Sequence, residues 1–370
     1  MEKIILFVFD RVPHYQRDLF VSLETRLRNL GMKLILFSGE ALAGETGRVR
    51  LKEKVIEKEH KYRFKEWKVR NFTFRKHENV LKRIRDIKPD VVIVMSHVGN
   101  ISYWQLMRLK RKLGFKLVAW QCGYEYNPSR IKDFILMWFI PGFDHHLAYH
   151  TNARKYALRY GATEQQTTVI HNTINEEKIQ ILPKIVARAY VLARHPDIGD
   201  RRIVLFVGAI LEEKQIPVIL KALDILNRND LVLLVVGDGP YMSELRKLCS
   251  NRSDVILAGS IVEEVSPYFD AAEVYVLPGT GGLGINEAMT HSLPVISGYA
   301  DGSADDLVID GKNGFRLWHG TAEELADKLA SVLDNDEIAR RMGGVSRKMI
   351  TGQFAFRHFI DRVCGTLETI

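Results

Sequence analysis

The chain reads as an α/β protein made of two Rossmann-like domains, each a doubly wound parallel sheet, facing one another across a cleft. Three observations predict this. Short apolar runs alternate with amphipathic stretches of helical period along the whole chain. That alternation occurs twice, interrupted by a charged segment that holds Pro183 and His195-Pro196-Asp197 and lacks strand patterning. Finally, 370 residues exceed what a single core of ordinary size accommodates.

In the first half, strand signals fall at 4–9, 33–37, 90–95, 116–120, 146–149 and 168–170. Helices are expected at 15–30, 79–87, 101–113 and 153–160. The second half places strands at 203–207, 231–236, 255–258, 274–277, 294–296 and 314–317. Its helices are expected at 217–227, 241–249, 268–272, 285–291, 322–333 and 336–349. The division is therefore a first domain over 1–180, a linker over 181–199 that includes a helix at 185–193, and a second domain over 200–350. In the tail, 351–370, Phe354, Phe356, Phe359, Ile360 and Val363 form a helix-like stripe. Ligands of such sheets sit beyond the carboxyl ends of the strands, so the site is expected where those ends meet the cleft.

Composition narrows the class. With 46% apolar and 26% charged residues the chain is globular. No apolar run approaches the ~18 residues of a membrane-spanning helix; the run 134–140 is closed by Pro141. Met1-Glu2-Lys3 leads straight into a strand signal, so no secretory leader is expected. Cys122, Cys249 and Cys364 are scattered and lack metal spacing, which favours a reducing cytoplasm without structural zinc. Charge is uneven: residues 1–150 carry 29 Lys and Arg against 16 Asp and Glu, whereas 201–350 carry 15 against 22. Such asymmetry suits a first domain that faces an anionic partner. Alternatively, Lys52 to Lys88 forms solvated helix faces and loops. Arg130 and Lys132, followed by apolar residues to Phe143, read either as a membrane-surface stretch or as a core helix. Asp334-Asn335-Asp336 sits where a helix N-cap is expected and is read as a cap, not a metal motif.

The most informative segment is Leu277-Pro278-Gly279-Thr280-Gly281-Gly282-Leu283-Gly284-Ile285-Asn286-Glu287-Ala288-Met289. It places a glycine-rich turn between a buried strand and a helix, so backbone N–H groups of Gly281, Gly282, Leu283 and Gly284 can gather around an anion. Glu287, inside that helix, can accept two hydrogen bonds from a ribose diol.

This segment is followed by Pro294-Val295-Ile296, Asp306-Leu307-Val308 and Asp310-Gly311-Lys312-Asn313-Gly314. Together they resemble the donor-binding region of the GT-B retaining glycosyltransferases of family 4. Phe206-Val207-Gly208 with Lys214, and Val235-Val236-Gly237-Asp238-Gly239-Pro240, are similar to that family's phosphate-binding strand ends. The resemblance implies transfer of a sugar from a nucleotide-diphosphate donor, UDP preferred over GDP, with retention of configuration and no essential metal or other cofactor. The implied acceptor is a saccharide or lipid-linked glycan in envelope polysaccharide synthesis. The implied location is the cytoplasm, at most peripheral to the inner face of an anionic membrane. The resemblance also implies that the tail, 351–370, is a last helix crossing back onto the first domain.

By the same resemblance, Lys214 neutralises the diphosphate, Glu287 binds ribose, and His97 stands beside the reacting sugar or else is an ordinary turn histidine. Gly208, Gly239, the Gly281–Gly284 loop and Asp306 complete the donor side, with Asp306 equally readable as a cap. His14, Tyr15, Arg17 and Asn172 are the acceptor-side candidates. Two departures stand out: the family's arginine after the first glycine is Ala209, and the first of its paired glutamates is Gly279. They keep open a non-catalytic nucleotide-sugar-binding protein, and the fold admits a sugar-nucleotide epimerase. No nucleic-acid reading module is recognisable, and Phe9-Asp10-Arg11 offers no dinucleotide fingerprint.

Overall fold

The computed structural model describes residues 2–40, 53–70, 72–123, 129–261 and 263–370. It divides into two units, Met1–Asn172 with Arg357–Ile370, and Thr173–Phe356.

The first unit carries β1 (Lys3–Phe9), β2 (Met32–Gly39), β3 (Glu59–Tyr62), β4 (Phe64–Val69), β5 (Phe72–His77), β6 (Val91–Met95), β7 (Lys116–Gln121), β8 (His145–Ala148) and β9 (Thr167–Val169). Seven of these form a sheet in the order β3-β2-β1-β6-β7-β8-β9, with parallel pairing throughout. Strands covered on both faces read as near-continuous apolar runs, and Leu6, Val8, Val92 and Val94 pack into one core with Tyr103 and Leu106. Around the sheet lie α1 (Arg17–Asn29), α2 (Val80–Ile87), α3 (Ile101–Leu113), α4 (Arg130–Phe139) and α5 (Thr151–Arg159). The strand order reverses between β1 and β6, which makes their carboxyl ends the switch point of this sheet.

The second unit begins with α6 (Lys184–Arg194), then β10 (Arg202–Val207), α7 (Ile216–Leu226), β11 (Leu231–Val236), α8 (Met242–Leu248), β12 (Val255–Gly259) and α9 (Ser266–Asp270). It continues with β13 (Val274–Leu277), α10 (Leu283–Thr290), β14 (Val295–Ser297), α11 (Ala304–Leu307), β15 (Gly314–Arg316), α12 (Ala322–Leu333) and α13 (Asp336–Thr351). The six strands are ordered β12-β11-β10-β13-β14-β15, so its switch point lies between β10 and β13. Asn335 caps α13 through its side chain, accepting from the N–H groups of Glu337 and Ile338.

The structure differs from the sequence reading in two places. The stretch 181–199 is no linker. Its helix, α6, buries Ala187 and Val191 in the second unit's core, and the Leu182 N–H is held by Asp270 of α9. The first unit therefore ends at Asn172. Within 53–88, helix faces and loops were one alternative, but β3 and an antiparallel β4–β5 hairpin precede α2. The hairpin's period-2 pattern is carried by aromatic and charged residues. Phe64 and His77 turn inward, while Trp67 stacks on Phe74 on the opposite face, with ring centroids 5.9 Å apart. The tail forms α14 (Phe356–Thr369), which packs on the first unit: Lys3 Nζ donates to the Leu367 carbonyl at 2.7 Å, and Phe359 packs on Trp120.

Candidate active site

In the second unit, the loops that leave β10 and β13 at the switch point close on each other. After β10 the chain passes through Gly208, Ala209 and Ile210, then a 3-10 turn, Glu212–Lys214. The turn lies directly against the glycine-rich loop: the Thr280 N–H donates to the Glu213 carbonyl at 2.9 Å. The Lys214 ammonium donates to the Thr280 carbonyl, and a Cβ placed on Gly281 would lie 2.7 Å from Lys214 Nζ. Lys214 and the Gly281 turn, 67 positions apart, are thus one cation-and-amide surface.

Gly279 has its own cause. A Cβ there would stand 2.1 Å from the Glu213 carbonyl oxygen and 2.7 Å from the Lys214 Cα. Backbone fills the space that a glutamate side chain would need to leave the loop. Helix α10 starts at Gly282 without a side-chain cap, which leaves first-turn N–H groups for a ligand. A Cβ on Gly284 would come within 2.2 Å of the Tyr275 hydroxyl, so the helix start sits hard against β13. Gly239 lies against the Ile210 backbone, where an added Cβ would stand 2.4 Å from the Ile210 carbonyl oxygen, and the Gly208 N–H donates to the Val236 carbonyl at 3.0 Å.

One turn into α10, Glu287 is about three-quarters covered. Burial raises its carboxyl above the ordinary range, partly offset by His291. Its neighbour Asn286 is buried and donates to Thr173 Oγ1 at 3.1 Å. Asp306 lies in α11, where its N–H donates to the Ser303 carbonyl, while the adjacent Asp305 pairs with Arg316. Asp301, which the sequence reading passed over, holds its carboxylate over Gly282: a Cβ there would meet Asp301 Oδ2 at 2.7 Å.

The first unit has a site of its own at the β1/β6 switch point, built around Asp10. Its Oδ1 accepts from Tyr62 Oη at 2.7 Å and lies 2.6 Å from His77 Nε2; its Oδ2 accepts from Arg75 at 3.1 Å. Arg75 also donates to Glu66 at 2.6 Å. Burial alone would raise the Asp10 carboxyl, but the His77 hydrogen bond and the His77 and Arg75 charges outweigh it and hold Asp10 well below the usual range. His97 stands in the loop after β6. Burial, reinforced by the Arg75 charge, lowers it to about 4, so it is neutral at pH 7. Its Nδ1 is buried without a hydrogen-bond partner among the described residues. Tyr15 and Arg17 are exposed where α1 begins; the His14 side chain lies outside the described residues. Asn172 closes the unit, its N–H donating to the Tyr149 carbonyl.

Comparison with known proteins gives the family and the fold. The family described as "Glycosyl transferases group 1" matches residues 191–349, and "Glycosyltransferase Family 4" matches 20–178. The chain belongs to the GT-B glycosyltransferases, family 4. Among similar proteins are the sulfoquinovosyl transferase SQD2 of Arabidopsis thaliana, 30% identical over 40% of this chain and 30% of that protein. A GDP-mannose-dependent alpha-(1-6)-phosphatidylinositol monomannoside mannosyltransferase of Mycobacterium tuberculosis is 30% identical over 46% of this chain and 48% of its own length. The chain thus spans half or less of those relatives. In fold, the Anabaena protein Alr3699/HepE in complex with UDP matches with a TM-score of 0.79 at 15% identity, covering 100% of both chains.

Proposed function

We propose that the protein transfers a sugar from a nucleotide-diphosphate donor, UDP preferred, to a saccharide or lipid-linked acceptor with retention of configuration, in envelope glycan synthesis. One observation carries the reading: Lys214 and the uncapped start of α10 meet at the switch point, with Glu287 one turn behind them. Cleaving a sugar–phosphate bond leaves growing negative charge on the diphosphate, and preorganised donors lower that barrier. The reading assigns this charge to Lys214 and the Gly281–Gly284 amides, not to a metal, with Glu287 on the ribose. Retention follows if the acceptor attacks from the leaving-group face and the diphosphate takes its proton. A neutral His97 suits hydrogen bonding to a sugar better than a cation would. Calorimetric titration with UDP-, GDP-, ADP- and CMP-sugars is expected to show one nucleotide class binding, weakened about tenfold or more in Glu287→Ala by loss of two charge-assisted hydrogen bonds. No binding by any of them overturns the reading.

A lipid-linked acceptor has support in α4. That helix buries Leu136 and Phe139 but leaves Ile131, Phe134, Met137 and Trp138 each more than half exposed. These side chains form one apolar stripe beside Arg130, in the basic half of the chain. We assign this face to the interface of an anionic bilayer. Phe134→Asp with Trp138→Asp is expected to cut co-sedimentation with phosphatidylglycerol vesicles about a hundredfold, since each aromatic buries ~1.5–3 kcal/mol of apolar surface. Unchanged partitioning would sink the assignment.

A further inference from the structure

A buried pair behind Glu287 has no part in the site as described so far. His291 follows Glu287 by one helical turn, at the C-terminal end of α10, and its side chain is wholly buried. Its ring lies flat on Phe269, with centroids 5.1 Å apart and planes 10° apart. Nδ1 is 2.7 Å from Asp270 Oδ1, and the other oxygen of Asp270 accepts the Leu182 N–H at 2.8 Å. The imidazole is therefore fixed in position and orientation by the stack on one face and by an anchored carboxylate at Nδ1. The remaining nitrogen, Nε2, has no hydrogen-bond partner among the described residues and faces Glu287 Oε1 at 4.0 Å.

An unpartnered ring nitrogen in a dry interior is costly, and a nearby carboxylate is the group it can serve. With Nδ1 held against Asp270, the Nε2 edge of the ring is the one turned toward the Glu287 carboxylate. We propose that Asp270 and His291 are positioning residues for the donor ribose: they fix the imidazole edge behind the Glu287 carboxylate, so that this carboxylate is held where it accepts from both ribose hydroxyls. The inference rests on the reading of Glu287 as the ribose ligand. Asp270 and His291 touch neither ribose nor phosphate; they act through Glu287.

The test compares UDP with 2′,3′-dideoxy-UDP by calorimetric titration of the full chain. Wild-type protein is expected to prefer UDP about tenfold or more, the worth of two hydrogen bonds to a carboxylate. His291→Phe keeps the stack on Phe269 but removes both nitrogens. It is expected to reduce the preference to within about twofold while leaving dideoxy-UDP binding within about twofold of wild type. Asp270→Asn, the milder variant, retains a polar partner for the ring and is expected to fall between the two. Equal weakening of both nucleotides, or a preference kept in both variants, overturns the inference and leaves the donor site standing. Wild-type protein that binds neither nucleotide overturns the UDP preference together with the inference that rests on it.

Discussion

Gly279→Glu, which restores the glutamate that family members carry, is expected to abolish donor binding and not to improve it. The Cβ alone would sit 2.1 Å from the Glu213 carbonyl, and the obstacle is backbone, which cannot swing aside as a side chain can. The 3-10 turn Glu212–Lys214 would have to retreat. Its two ties to the glycine loop, Thr280 N–H to Glu213 and Lys214 to the Thr280 carbonyl, would then break. Overpacking of this kind costs ~1–3 kcal/mol in stability. The functional loss is larger, because the displaced residue is the cation that this reading sets against the diphosphate. Gly279→Ala should therefore already lower nucleotide affinity tenfold or more, about 1.4 kcal/mol. Gly344→Ala is the control. It lies inside α13 with nothing within 4 Å of its added Cβ, and it should leave binding unchanged and raise stability by about 0.5–1 kcal/mol. An affinity in Gly279→Ala equal to wild type would show that the turn is free to move.

That position also marks where reading the sequence stops. The strand–turn–helix–strand that carries the glycine-rich turn is legible because it occupies one continuous segment, β13, α10 and β14, where local pattern and fold coincide. Asn335 as a cap was legible for the same reason. Gly279 read as a missing carboxylate, since nothing in the sequence says that residues 213–214 run across it. The boundary was placed at 181–199 because charge and proline mark linkers. Yet Ala187 and Val191 bury a helix there, and Asp270, remote in sequence, holds its start. The β4–β5 hairpin escaped because its alternation is written in Trp, Phe, Lys and Arg, which also describe a solvated surface. The Asp10 cluster was the least legible of all. Tyr62, Arg75, His77 and Asn100, whose side-chain amide donates to Asp10 Oδ2 at 3.4 Å, are each ordinary where they stand, and only the fold gathers them around one carboxylate that the sequence offers merely as the residue after β1.

Asp10→Ala is expected to be the most destabilising single change in the first unit. Removing one member of a buried charged network leaves the others uncompensated, a loss of about 3–5 kcal/mol. Here it strands Arg75, His77 and Tyr62 together, and with them the tie between the β4–β5 hairpin and the end of β1. For a unit of this size that is roughly 10 °C in its melting temperature, read by calorimetry as a transition that moves down while the second unit's stays. Asp10→Asn keeps the shape and should lose less. Acid has a related effect with a definite sign. Asp10 is held below its unfolded value of 3.8, so its stabilisation is present above that value and disappears as pH falls toward its folded one. His97 is lowered from 6.5 to about 4. Between those values the unfolded chain takes up the proton first, so stability declines as pH drops through that window. His97→Gln should therefore flatten the slope between pH 6.5 and 4, whereas the Asp10→Ala deficit should persist at pH 5, where Asp10 is still ionised. A deficit of less than about 1 kcal/mol, or an acid slope unaltered by His97→Gln, would mean that the network is solvated and that the hairpin is anchored elsewhere.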